Sequence, residues 1–154
     1  MDHALREHYG HRLRVRVCGL CLRKSDILLV NHAGIGNPDF WAPPGGGLEF
    51  GTNAEDNLKR EFYEETGLEI KVGDFAFACE LLKPPLHAVE LFFHVKEIGG
   101  NLQIGFDPEI QIIKDVRWMP YADLKSIPDA SVHRILRIAD TKEKLEELRG
   151  FYRI

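Results

Sequence analysis

The 154-residue chain is 44% apolar and 29% charged, with a formal net charge of −4. That suits one ordinary soluble domain, residues 1–154, burying roughly 68–70% of its unfolded surface. It excludes the basic surface of a non-specific nucleic-acid binder and, with no apolar run near ~20 residues, a membrane helix. Three cysteines, an odd number, argue against a disulfide framework. The first eleven residues are rich in His, Arg and Glu and read as no secretory signal, so a reducing cytoplasm is the expected location.

Leu13, Val15 and Val17 alternate with Arg12, Arg14 and Arg16, which predicts a half-buried strand. The apolar phase changes to Leu20 and Leu22 around Gly19, which predicts a bulge or bend. Cys18-Gly-Leu-Cys21 has the spacing of metal ligands, but zinc needs two more soft ligands and only Cys79 remains. In a strand, i and i+3 point to opposite faces, so two buried structural thiols are expected. Asp26–Val30 reads as a second strand and residues 31–39 as a Gly/Asn/Pro loop carrying His32. Phe40 and Trp41 return to extended chain, and core packing is a better use for them than base stacking.

Pro43-Pro44-Gly45-Gly46-Gly47 can turn sharply and approach a ligand closely. A helix follows, capped by Thr52 or Asn53, with Glu55 and Asp56 in its first turn, Ala54, Leu58 and Phe62 as its buried stripe, and Gly67 at its end. Two long antiparallel strands come next, near residues 68–82 and 87–96, joined by Lys83-Pro-Pro-Leu. Gly99-Gly-Asn101 reads as a turn, residues 115–119 as a short strand, and 121–126 as a helical turn. From Ser131, the positions Val132, Ile135, Leu136 and Ala139 are spaced as a helix, which Leu145 and Leu148 extend or follow with another. Helices and a mixed sheet define an α/β class.

Within the first of these helices, Glu61, Glu64 and Glu65 stand at i, i+3 and i+4 and share one surface. The alternative is a solvated face offset by Lys59 and Arg60. Helix stability does not call for three repelling carboxylates, whereas a hard cation such as Mg²⁺ takes oxygen ligands.

The run from Gly46 to Leu68 resembles the Nudix hydrolase signature. Gly46, Arg60, Glu61, Phe62, Glu64, Glu65, Gly67 and Leu68 match in register, and Thr52 stands where the pattern has its first Glu. The resemblance covers roughly residues 13–138 and implies an α/β/α sandwich with a mixed sheet. It implies hydrolysis of a nucleoside diphosphate linked to another group: a nucleoside triphosphate, ADP-ribose or a nucleotide sugar. A nucleotide-binding or sensor module that has lost catalysis is the alternative. The implied cofactor is Mg²⁺, with Mn²⁺ able to substitute, held by Glu61, Glu64 and Glu65. A fourth carboxylate would come from Glu109, with Glu90 second. Arg60 orients a glutamate or contacts phosphate, and Thr52 removes its usual acidic partner. Gly46, Gly47, Arg16 and His32 are the candidate substrate contacts, although the arginine row of the first strand also reads as a solvent face. The partner implied is a small nucleotide, with no nucleic acid and no membrane; a homodimer is compatible with this reading.

Overall fold

The structure is a computed structural model that describes residues 3–33, 39–105 and 112–154. A short helix α1 (His3–Tyr9) leads into β1 (Arg12–Arg23) and β2 (Asp26–Ala33). β3 (Trp41–Ala42) and β4 (Gly45–Gly47) then precede α2 (Ala54–Thr66). The long pair β5 (Leu68–Lys83) and β6 (Leu86–Gly100) is followed by β7 (Ile112–Pro120). Two 3-10 turns (Tyr121–Ser126 and Asp129–Ser131), α3 (Ile135–Ile138), α4 (Lys142–Glu147) and β8 (Gly150–Arg153) close the chain.

The strands are ordered β3-β2-β1-β6-β5-β8, with β4 on β1 and β7 on β2. β5 and β6 are antiparallel, β1 and β6 parallel, so the sheet is mixed. β2 is buried along its whole middle, as an unbroken apolar run requires. Its Leu28 and Val30 enter the core beneath α2 with Leu58 and Phe62, while Ile27 and Leu29 enter the core on the other face. That second core is covered by Tyr121, Leu124, Ile135, Leu136 and Leu145 from the C-terminal turns and helices. Helical layers on both faces make the α/β/α sandwich. Cys18 and Cys21 fall into different cores, and all three thiols are free and buried.

Several local expectations are revised. Leu13 and Val15 are exposed, because the buried face of β1 begins only at Val17, beneath α2. On the arginine side α1 takes part in packing: the Arg14 guanidinium lies 3.7 Å over the Tyr9 ring. No bulge occurs at Gly19, since β1 and β6 stay in register from Arg12 to Cys21. A Cβ there would stand 2.9 Å from the Phe62 ring, so the glycine makes room for α2. The glycines of 45–47 form a strand rather than an open loop. Gly99 and Gly100 end β6, paired with Glu69 and Leu68, and do not form the turn. Val132 is extended and bridges Trp41, leaving α3 one turn long, and Thr141 starts α4 by accepting the Lys144 N–H at 3.2 Å. β8, which has no periodic signal, joins the edge of β5 in parallel.

Candidate functional site

Asn53, not Thr52, caps α2: its side-chain oxygen accepts the Asp56 N–H at 2.8 Å. Gly67 ends the helix at φ 76°, its N–H returning to the Tyr63 carbonyl. The three glutamates therefore sit in the last turns, where the helix dipole disfavours negative charge and the last turn itself carries no basic residue. Glu61 and Glu65 are moreover buried, at 4% and 1% exposure. A merely solvated helix face does not describe them.

Each carboxylate is held by something specific. Glu65 Oε1 accepts the Gly45 N–H at 2.9 Å, and its Oε2 is 3.1 Å from His32 Nε2. Glu61 Oε1 accepts from Arg60 at 3.2 Å. Its carboxylate lies against Gly46, where an added Cβ would come within 2.4 Å of the carboxyl carbon. Burial, then the charges of Glu65 and Glu64, raise the Glu61 pKa to about 7 despite Arg60. Glu64 is 3.8 Å from Arg60 Nε, and among the described residues its buried Oε2 has no hydrogen-bond partner.

Arg60 is not left without its acidic partner. Glu49 accepts from Arg60 at 3.0 Å, three positions before the expected glutamate. The turn that allows this is closed by the Thr52 N–H on the Glu49 carbonyl at 3.1 Å. Asn57 locks the same junction: fully buried, it donates to the Gly47 carbonyl at 2.9 Å and accepts the Glu49 N–H at 3.1 Å. Sequence patterning does not single out Glu49 and Asn57; an acidic residue near the site and a polar residue facing the signature loop are the only signals they give. Since Glu49 already serves Arg60, Thr52→Glu is expected to shift unfolding stability by less than ~1 kcal/mol, the scale of an exposed pair. Thermal melting with a parallel activity assay checks this, and a loss several times larger would show that Thr52 itself holds the turn.

His32 belongs to β2 and is 4% exposed, so it supports Glu65 instead of lining an open loop. Glu109 lies outside the described residues, as do positions 34–38 of the His32 loop. Glu90 is buried on the sheet face away from α2, on the side of Phe92. It accepts from Arg16 at 2.7 Å and pairs with His133 Nε2 at 2.8 Å. Burial alone would raise its pKa, but His133 and then Arg16 hold it down at about 2. Arg16 is thus brought to Glu90 rather than to the α2 glutamates.

The donor set fits a divalent cation. Glu61 and Glu64 share one arginine, a Glu64 oxygen has no partner among the described residues, and the crowding that raises Glu61 is what a cation relieves. Among the described residues no three acidic, His or Cys side chains converge as ion ligands, and Glu65 is engaged by Gly45 and His32.

A family model described as NUDIX domain matches residues 10–137, and the chain belongs to the Nudix family. Members of this family generally use divalent metal ions. An ADP-ribose pyrophosphatase of Methanocaldococcus jannaschii is 31% identical over 69% of this chain. An NAD-capped RNA hydrolase NudC of Pseudomonas syringae pv. tomato is 30% identical over 84% of it. The chain spans only 64% and 46% of those relatives' lengths. The fold is shared with a MutT NUDIX hydrolase from Burkholderia pseudomallei, with a TM-score of 0.70, 20% identity, and coverage of 88% of this chain and 98% of that one. Among the described residues no helix is long and apolar enough to cross a membrane.

Proposed function

We propose that the chain is a Mg²⁺-dependent pyrophosphohydrolase acting as one domain on a small nucleotide in which a nucleoside diphosphate is linked to another group. The observation that carries this is the buried carboxylate cluster at the end of α2, with a Glu64 oxygen lacking a partner among the described residues. Glu61, Glu64 and Glu65 would hold the cation, which supplies charge neutralisation at the pyrophosphate and a more acidic bound water. Arg60, fixed by Glu49, pairs with both Glu61 and Glu64 and offsets their repulsion, and His32 with the Gly45 N–H orients Glu65. Gly46 leaves space for Glu61, and Gly47 and Arg16 at the β4–β1 edge are the proposed phosphate contacts. Three free buried thiols suit a reducing cytoplasm.

ADP-ribose is the first substrate to test, because the named activities of both relatives concern an adenosine diphosphate linked to a second group. The test is a panel of ADP-ribose, NAD, NAD-capped RNA, nucleotide sugars and nucleoside triphosphates, with Mg²⁺ or Mn²⁺ and identification of both products. Hydrolysis is expected to stop with EDTA and return with Mg²⁺, because oxygen ligands hold this ion exchangeably. Nucleotide binding without turnover of any compound would favour a binding or sensor module instead.

A further inference from the structure

The Arg16–Glu90–His133 cluster makes no contact with the α2 glutamates among the hydrogen bonds and ion pairs of the described residues. Glu90 is a charged group set against Phe92 and Cys18, a site where apolar residues of similar volume would serve stability as well or better. The cluster is directional. The Ile135 N–H donates to His133 Nδ1 at 3.2 Å, so the ring carries its proton on Nε2 and donates it to Glu90 Oε1. The His133 N–H is itself fixed to the Trp41 carbonyl at 2.8 Å, and its ring meets Phe92 edge-on at 5.5 Å. Glu90 Oε2 then accepts from Arg16. The side chains of His133 and Glu90 are 6% and 5% exposed, whereas that of Arg16 is 25% exposed. A sealed relay thus ends in a cation at the surface.

The strand that carries that cation is paired with β4, which seats two of the α2 glutamates. Arg16 pairs across the sheet with Gly47, Val17 with Gly46 and Cys18 with Gly45, the last two glycines being those that meet Glu61 and Glu65. Cys18 links the two groups: its Sγ lies 3.7 Å from Glu90 Oε2, and its backbone is paired with Gly45, whose N–H holds Glu65 Oε1.

We propose that His133 and Glu90 are positioning residues that fix the Arg16 guanidinium to receive an anionic phosphate oxygen of the substrate. This rests on the hydrolase reading above, and deepens it by assigning the orientation of the phosphate contact to two residues that themselves touch no substrate.

The test uses the whole chain carrying Glu90→Gln, His133→Gln, Arg16→Gln, or Arg16→Gln with Glu90→Gln. Thermal melting, kcat and KM for the best panel substrate, and calorimetric binding of ADP in EDTA are measured for each. Glu90→Gln is expected to raise KM and the ADP Kd by ~10- to 100-fold, the worth of a charged hydrogen bond, with kcat nearly kept. His133→Gln should do the same more weakly, and Glu90→Gln should add nothing once Arg16 is replaced. A lower melting temperature with unchanged KM and Kd in Glu90→Gln would overturn the proposal, as would additive effects in the double variant. If the wild type hydrolyses no compound, the hydrolase reading fails, and the ADP titration still decides the positioning role: weakening in Glu90→Gln supports it, and equal or absent binding overturns it.

Discussion

Glu64→Gln is expected to lower turnover by roughly three orders of magnitude while leaving the melting temperature close to wild type. A cation ligand contributes several kcal/mol of charge stabilisation, and ~1.4 kcal/mol is a factor of ten in rate. Glu64 is the cleanest probe of the three glutamates because its Oε2 has no hydrogen-bond partner among the described residues. Glu65→Gln should also abolish most activity, but it disturbs the Gly45 and His32 contacts and is expected to cost stability as well. Steady-state rates at saturating Mg²⁺, read beside thermal melts, check both. Near-normal turnover in Glu64→Gln would remove it from the metal site.

Gly45→Ala is expected to damage both the fold and the activity. A methyl group there would stand 2.2 Å from the Val17 carbonyl oxygen and 2.7 Å from the Cys18 Cα, and backbone atoms of a central strand cannot retreat. Relief requires β4 to lift from β1, which moves the N–H that holds Glu65 Oε1. Overpacking of this kind costs about 3 kcal/mol, or several degrees in the melting temperature of a chain this size. Activity should fall further than the loss of folded protein explains. A variant with wild-type melting and full activity would show that β4 is not rigidly seated.

The glutamate cluster is legible in the sequence because helix geometry converts its spacing into one shared surface. The fixed register of Gly46, Arg60 and Gly67 carries the fold with it. What the sequence hides depends on contacts between distant segments. Glu90 meets His133 43 positions away and Arg16 74 positions away, and neither pairing leaves a local pattern. Glu49 cannot be matched to Arg60 from spacing, because the turn at Thr52 sets how far the loop doubles back. The exposure of Leu13 and Val15 is hidden because alternation reports that one face differs from the other, without reporting where the covering helix begins. Helical spacing overextends the terminal helix, since Val132 obeys that spacing while its backbone pairs with Trp41. β8 has too few residues for a period to show.

The parallel ladder between β1 and β6 joins segments some seventy residues apart, and the whole of β4 and α2 lies in the chain between them. Closing a loop of that length is entropically slow, and it must precede the central pairing. α2 is capped at both ends by its own neighbours, so it can form early, but Gly45 meets Glu65 only after β4 docks on a completed β1. Assembly of the proposed carboxylate site is therefore expected late in folding. A chain cut short before β6 would carry every residue of the signature and lack the strand that joins β1 to β5. In a refolding experiment, helical signal should recover before catalysis does.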